Sequence, residues 1–212
     1  RVPWLTFVFI GAGYAGLEGA AELQDFAIDV LDYYPRCRTQ GVNFVLVEAA
    51  DRVMGEIPPT LAEFATAELR GRGMDIRTNT TLEEVTETTA RLSDGAVLPT
   101  RTVVWTAGVK PHPLLAATDL PLNERGRLKC TPQLTVDGVT HAWAAGDAAA
   151  VPDVTGEPGK ETAPNAQHAV RQAKVLGDNL AHTLRGEPLE TYSHRYVGSV
   201  ASLGLHKGVA HV

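Results

Sequence analysis

Cysteine is scarce in this sequence, and its two cysteines form neither a redox nor a disulfide pattern. Cys37 and Cys130 are far apart in the chain, so they cannot supply the disulfide framework of a small secreted domain. The sequence also contains no CxxC pair. The seven histidines lack the spacing of a common metal site, and we expect no bound metal. The expected compartment is the reducing cytoplasm.

Long apolar runs and clusters of positive charge are also missing. No uninterrupted apolar segment approaches the roughly 18 to 20 residues needed to cross a bilayer, so we expect no membrane-spanning helix. The formal net charge is -6 at pH 7 and Lys and Arg form no cluster, so we expect no nucleic-acid partner. The length of 212 residues is enough for one large core or two modest ones.

The first part of the chain alternates short apolar runs with helical patterns. Residues 5–10 and 42–47 are rich in β-branched and aromatic side chains, which predicts two buried parallel strands. Helix formers at 17–23 follow the first strand, and Pro35 is expected to end that helix. Pro58 and Pro59 precede apolar residues that are spaced three and four apart at 61–69, which predicts a second helix.

The next segment changes the connectivity of the predicted sheet. Residues 74–78 can form a third parallel strand, whereas 84–92 alternates in polarity around polar turns and predicts antiparallel strands. Residues 102–106 form another buried strand, which ends at Ala107 and Gly108. The predicted fold class is therefore α/β, a Rossmann-like parallel sheet with an inserted antiparallel meander.

Prolines mark a change of organisation after that strand. Pro111, Pro113 and Pro121 interrupt any long element, so we place a domain boundary near Val109. Farther on, residues 141–145 are expected to form a buried strand.

The last part of the chain contains one long helical pattern. It covers residues 165–184, and Gly186 is expected to end it. Residues 192–212 alternate loosely in polarity, which indicates strands.

A glycine motif between the first strand and the first helix is the strongest functional signal. The GxGxxG pattern is formed by Gly11, Ala12, Gly13, Tyr14, Ala15 and Gly16. In such a corner the first glycine permits a tight turn, the second lets the backbone approach a pyrophosphate, and the third lets the helix pack close to the strand. The helix amino terminus then offers N–H groups and a partial positive charge to the phosphates. The alternative is a glycine-rich turn that binds nothing.

An acidic residue completes this dinucleotide-binding pattern. Glu48 ends the second predicted strand, where a carboxylate can accept hydrogen bonds from the adenosine ribose and repel a 2′-phosphate. The spacing from Gly16 exceeds the usual figure of about 20 residues, which the extended region at 33–40 explains. We therefore expect NADH rather than NADPH as the ligand, although Arg52 is close in sequence.

Four segments, together with one that follows them, resemble the two-dinucleotide-binding flavoprotein reductases of the pyridine nucleotide-disulfide oxidoreductase superfamily. Within them the chain is most similar to type II NADH:quinone oxidoreductases. The segments are GAGYAGLEGAAEL (11–23), LVEAADRV (46–53), TVVWTAGVKP (102–111), HAWAAGDAA (141–149) and APNAQHAVRQ (163–172).

The resemblance implies a domain organisation. Residues 1–109 would be the NAD(H)-binding domain, 110–190 the carboxyl-terminal half of the FAD-binding domain, and 191–212 the start of a truncated carboxyl-terminal region. The family's first flavin half and its membrane-bound helices would lie outside this sequence. We therefore expect a fragment with incomplete FAD binding, cut from a parent that is peripheral to the inner face of the cell membrane.

The resemblance also assigns residues to the flavin. Asp147, next to Gly146, would bond the ribitol of FAD, and the helix end at Asn165 and Ala166 would face the isoalloxazine ring. A helix amino end can stabilise negative charge on a reduced flavin, which agrees with that placement. The backbone of Ala107 and Gly108 would pass where the two cofactors meet.

Three polar residues would act on the substrates. Glu18 matches a family carboxylate near the nicotinamide and flavin; the alternative is a first-turn acid that favours the helix dipole. Gln167 and Arg171 share one helix face and would contact the electron acceptor. The family pattern there is AQxAxQ, so Arg171 replaces the second glutamine, and Gln172 is displaced by about 100° around the helix. A solvated polar face is the alternative for this pair.

The expected activity of the parent is hydride transfer from NADH to FAD, followed by electron transfer to a quinone. Two alternatives remain open at this point: a flavoprotein reductase that serves a ferredoxin-like protein or another acceptor, and a non-catalytic dinucleotide-binding module. Apolar surface left uncovered in a fragment favours self-association, so a homodimer is also expected.

Overall fold

A computed structural model describes residues 3–156, 158–195 and 197–211 of the chain. They divide into two compact units. The first unit contains the described residues up to Val109 together with those from Val197 onwards. The second unit begins at Lys110 and contains the residues between.

The helices and strands follow one another in the α/β pattern that the sequence predicts. The helices are α1 (Tyr14–Val30), α2 (Pro35–Arg38), α3 (Pro59–Gly71) and α4 (Ala166–Arg185). The strands are β1 (Thr6–Ile10), β2 (Asn43–Val47), β3 (Asp75–Arg77), β4 (Leu82–Val85), β5 (Thr89–Leu92), β6 (Val97–Pro99), β7 (Thr102–Trp105), β8 (Leu128–Lys129), β9 (Ala149–Ala150), β10 (Ser199–Ser202) and β11 (Gly208–His211).

A parallel sheet with the strand order β3-β2-β1-β7 forms the centre of the first unit. The chain moves outward from β1 to β2 and β3 and then returns to the other side of β1 as β7. The strand order therefore reverses at β1. In open α/β sheets, ligands bind at such a reversal, beyond the carboxyl ends of the strands.

The two faces of this sheet are covered by different layers. Phe7 and Phe9 of β1 pack in the core that α1 and α3 cover, whereas Val8 and Ile10 pack in a second core with side chains of the meander. This alternation follows from the two-residue period of a strand, and burial on both faces explains the continuous apolar run. Strands β4, β5 and β6 form the meander as a separate antiparallel sheet. The predicted fold class is confirmed.

Pro35 begins a helix, so the prediction that it ends α1 is wrong. Helix α1 stops at Val30, a 3-10 turn follows at Leu31–Tyr33, and Pro35 is the first residue of α2. Proline is favoured at the first helical position, because the N–H that it lacks would have no partner within the helix and its φ is already helical.

The hairpin formed by β10 and β11 belongs to the first unit and packs against α1 and α3. Ala201, Leu203 and Val209 are buried in the core that α1 and α3 cover. Arg72 fixes the hairpin, because its guanidinium donates to the backbone oxygens of Leu203 and Ala21 and pairs with Asp25. The described part of the predicted region 191–212 is therefore divided between the two units; residues 196 and 212 lie outside the described residues.

In the second unit, the strand predicted at 141–145 is not formed. His141 has a φ of +61° and is exposed in a turn, and Trp143 makes only an isolated bridge to Thr135. A left-handed residue cannot continue a pleated strand. Helix α4 follows the prediction closely, with Gly186 in the left-handed conformation just past its end.

Substitution of Gly16 tests the close packing of α1 on β1. A Cβ at position 16 would lie 1.8 Å from the Gly11 carbonyl oxygen and 2.4 Å from Thr106 Oγ1. We expect Gly16→Ala to lower the free energy of unfolding by about 3 kcal/mol or more, because the nearest atom is backbone. Urea unfolding followed by circular dichroism measures this change.

Gly19→Ala is the matched control in the same helix. Its Cβ would make ordinary contact with Phe9 Cε1 at 3.5 Å, so replacing a helical glycine there should stabilise by about 1 kcal/mol. Equal effects of the two substitutions would contradict the close approach at Gly16.

Candidate functional site

The corner between β1 and α1 is fixed by contacts that leave no room for side chains. Gly11 has a φ of +98°, and a Cβ there would lie 2.8 Å from Ala107 Cα. The Thr106 hydroxyl donates to the carbonyl oxygens of Ile10 and Gly11 at 2.9 and 3.0 Å. Thr106 therefore ties β7 to the corner, a role that the sequence did not predict.

Gly13 lies at the amino end of α1, and no side chain caps the helix there. Gly13 is exposed, and a Cβ at this position would meet no atom within 4 Å. The positive end of the helix dipole is thus open to the space beyond the corner, which favours an anion.

Glu48 follows β2 and holds this corner through its carboxylate. Its Oε2 accepts the Ala12 N–H at 2.7 Å, and its Oε1 accepts the Ala50 N–H at 2.9 Å. Each carboxylate oxygen has two lone pairs, so each can accept one further hydrogen bond. The side chain is therefore oriented by the backbone before any ligand is present.

A cavity of about 420 Å³ lies at the carboxyl ends of the parallel strands. It is lined by backbone from the corner, by Glu48 and by the segments that follow β3 and β7. The lining residues are Ile10, Gly11, Gly13, Val47, Glu48, Ala49, Thr80, Thr81, Leu82, Trp105, Thr106, Ala107 and Gly108. Five of the predicted cofactor residues therefore meet at one cavity: Gly11, Gly13, Glu48, Ala107 and Gly108.

Four other residues of the predicted glycine motif do not line this cavity. Ala12 and Gly16 are buried beneath the corner, and Tyr14 and Ala15 belong to the first turn of α1. These four residues contribute to the site by holding the backbone of Gly11 and Gly13 at the cavity.

Eight lining residues are not among the predicted cofactor residues: Ile10, Val47, Ala49, Thr80, Thr81, Leu82, Trp105 and Thr106. The rule that ligands bind beyond the carboxyl ends of parallel strands could have identified them.

Arg52 does not belong to the cavity. Its Nη2 donates to the Gly55 carbonyl oxygen at 2.7 Å, within its own loop. Among the described residues that line the cavity, none carries a positive charge. The position of Arg52 therefore does not favour binding of a 2′-phosphate in the cavity.

Glu18 lies in the second turn of α1, so its prediction as a first-turn acid is wrong; the first turn has no acidic residue. Its Oε1 accepts the backbone N–H of Ser202 in the terminal hairpin at 2.8 Å. One function of Glu18 is thus to hold β10. Its catalytic role near a nicotinamide stays a prediction.

In the second unit, Asp147 lies in an exposed 3-10 turn at Gly146–Ala148. Gln172 positions this turn, because its Oε1 accepts the Gly146 N–H at 2.7 Å and its Nε2 donates to Thr162 Oγ1 at 3.0 Å. Gln172 is only 1% exposed. The glutamine that is displaced from the family pattern thus supports the turn from inside the unit.

Helix α4 begins directly after Asn165, whose side chain caps it by accepting the His168 N–H at 3.0 Å. Ala166 is the exposed first residue of the helix. Arg171 is exposed, and its Nη1 donates to the Gln167 carbonyl oxygen one turn earlier at 2.9 Å. The contact of Gln167 and Arg171 with an electron acceptor stays a prediction.

His168, in the first half of α4, is a buried histidine. His168 Nδ1 lies 2.8 Å from the Tyr192 hydroxyl, and the His194 ring packs edge-on against His168. Burial lowers the pKa of His168, with a further contribution from His194. Burial also raises the pKa of Tyr192, so both groups are held neutral near pH 7.

The pH dependence of stability tests this pair. The pKa of folded His168 is below its ordinary value of 6.5, so the unfolded state binds more protons as pH falls below that value. The free energy of unfolding should therefore decrease as pH is lowered from about 6.5 toward the folded pKa. We expect His168→Asn to remove this part of the dependence, measured by thermal unfolding over that range.

His141→Asn provides the control, because His141 is exposed and asparagine tolerates its positive φ. It should leave the pH dependence unchanged. An identical pH profile for His168→Asn and the unsubstituted chain would contradict the assignment.

Comparison with known proteins gives the family context of these two units. The sequence model of the pyridine nucleotide-disulphide oxidoreductase family matches residues 2–173. A probable NADH dehydrogenase of Dictyostelium discoideum is 27% identical over 210 residues, which covers 99% of this chain and 46% of that protein. A type II NADH:quinone oxidoreductase of Haemophilus influenzae is 30% identical over 203 residues, with 94% and 45% covered.

A solved structure of NDH2 from Plasmodium falciparum in complex with NADH has the same fold. Its TM-score is 0.84 at 16% identity, and the match covers 97% of this chain and 57% of that one. The chain thus spans about half the length of the curated relatives it matches.

Two further properties concern the described residues alone. None of their helices combines the length and apolar character that crossing a bilayer requires. Within the same residues, no three His, Cys, Asp or Glu side chains are grouped in a way that could hold a metal ion.

Proposed function

This chain belongs to the pyridine nucleotide-disulphide oxidoreductase family, and we propose that its first unit binds NADH in the cavity beside Glu48. One observation carries the proposal: a carboxylate oriented by two backbone N–H groups lies in the same cavity as the open corner at Gly13. These two groups match the two polar parts of a dinucleotide, its ribose and its diphosphate.

The diphosphate would bind at the corner. Gly13 adds no Cβ to the approach path, and the helix dipole favours the negative charge. Glu48 would accept hydrogen bonds from the adenosine ribose hydroxyls with the lone pairs that Ala12 and Ala50 leave open. Its negative charge and the absence of cations among the described lining residues favour NADH over NADPH.

We propose that the second unit contributes to an FAD site. The exposed Asp147 carboxylate can accept hydrogen bonds from a polyol, and Gln172 holds the backbone of that turn in place. The amino end of α4, after its Asn165 cap, provides a positive dipole for an anionic ring. These features fit a flavin, which when bound accepts a hydride from NADH and passes electrons to an acceptor.

For the whole protein we propose NADH oxidation with a quinone as the electron acceptor. Relatives named NADH dehydrogenase and type II NADH:quinone oxidoreductase support this activity. Because such quinones dissolve in lipid, we also propose that the protein acts as a peripheral protein at the cytoplasmic face of the membrane. Arg171 replaces a family glutamine at the proposed acceptor contact, so a soluble protein acceptor is the alternative to test.

The nucleotide preference tests the role of Glu48. Glu48→Gln keeps one oxygen acceptor but removes the charge that binds ribose and repels a 2′-phosphate. We expect NADH affinity to fall about tenfold, the value of one hydrogen bond to a charged group, and the preference over NADPH to narrow. Isothermal titration of the 212-residue chain with each nucleotide measures both effects.

Asp51→Asn is the control, since Asp51 is an exposed carboxylate in the next loop and does not line the cavity. It should leave both affinities unchanged. If Glu48→Gln and Asp51→Asn behave alike, the ribose assignment is wrong.

The acceptor is tested on the intact protein that contains this chain. Steady-state NADH oxidation should be supported by a soluble quinone and not by a ferredoxin-like protein at equal concentration. Faster turnover with the protein acceptor would favour the ferredoxin-reductase alternative, and a protein that holds no flavin would favour the non-catalytic alternative.

A further inference from the structure

Trp105 is a large aromatic side chain exposed at the edge of the cavity. It is the last residue of β7 and is 63% exposed, although indole rings are usually buried for most of their area. It lines the same cavity as Glu48 and Gly13. An exposed ring face at the carboxyl end of a parallel strand is therefore available to a ligand in this cavity.

The strand register determines on which face of the sheet this indole lies. Trp105 pairs with Ile10 of β1, and it follows Val103 by two residues. Because side chains two apart in a strand point to the same face, Trp105 shares the face of Val103, which packs in the core beneath the meander. The indole thus lies on the side of the sheet where Leu82 begins the meander.

The positions of the polar groups indicate which part of a dinucleotide reaches this side. The adenine base is bonded to the ribose that Glu48 would hold, so it must lie in the cavity next to Glu48. Thr80, Thr81, Leu82 and Trp105 line the same cavity as Glu48.

We propose that the Trp105 indole forms one wall of the adenine slot and stacks on the purine ring. The inference rests on the proposed function, because it assumes that the cavity holds NADH. An indole face stacks on any nucleobase with little selectivity, so Trp105 contributes affinity and positions the adenosine. Glu48 then determines selection against the 2′-phosphate.

The experiment compares two ligands, each of which lacks one of the two bases of NADH. ADP-ribose carries the adenine, the riboses and the diphosphate, whereas reduced nicotinamide mononucleotide lacks the adenine. We expect Trp105→Leu to weaken ADP-ribose binding to the 212-residue chain about tenfold, as measured by isothermal titration. Trp105→Phe keeps an aromatic face and should stay within about threefold of the unsubstituted chain.

Trp4→Leu is the matched control. Trp4 is 64% exposed, stacks with the Arg101 guanidinium at 4.4 Å and does not line the cavity. It should leave ADP-ribose binding unchanged. Circular dichroism of each variant verifies the fold, and the Phe variant provides the test if the Leu variant does not fold: a loss larger than about tenfold in Trp105→Phe would overturn the stacking role.

The outcomes separate the two proposals. If the unsubstituted chain binds neither NADH nor ADP-ribose, the proposed function fails. If it binds both and Trp105→Leu binds ADP-ribose equally well, only the adenine slot is overturned. If Trp105→Leu weakens reduced nicotinamide mononucleotide as much as ADP-ribose, the indole is not specific to the adenine half.

Discussion

The first unit depends on the close approach of helix α1, at Gly16, to the turn at Gly11 that connects β1 to this helix. Gly16 and Gly11 bring the helix so near the strand that no Cβ fits between them, and Thr106 bonds the same turn from β7. Two features follow from this approach. The helix end opens at Gly13, and Glu48 can reach the Ala12 N–H. The cavity is open because glycine backbone, and not side chains, lines it at this corner.

Much of this arrangement could be predicted from the sequence because the signals are local and physical. The glycine spacing predicts the corner, and the apolar runs predict the parallel strands. Glu48 is predicted at the cavity because it follows the second of these strands. The cap at Asn165 and the left-handed Gly186 also delimit α4 close to the predicted bounds. Each of these predictions needs only residues near one another in the chain.

The parts that could not be predicted depend on contacts between distant segments. The packing of the terminal hairpin on α1 depends on Arg72 and Glu18, which lie far from it in sequence. The sequence at 141–145 predicts a buried strand, but His141 is left-handed, and no residue type in the segment indicates that φ. Gln172 is displaced from the family pattern by about 100° around the helix, and its amide oxygen accepts the Gly146 N–H inside the second unit. Helical spacing alone does not predict whether a polar side chain is exposed or which group it bonds.

The central claim is that a dinucleotide occupies the cavity at the carboxyl ends of β1, β2 and β7. A crystal structure of the chain grown with NADH tests it most directly. We expect a diphosphate beside Gly13, an adenosine ribose within hydrogen-bond distance of Glu48, and unchanged bonds from Ala12 and Ala50 to that carboxylate. Ordered nucleotide elsewhere on the first unit, with this cavity filled only by solvent, would contradict it.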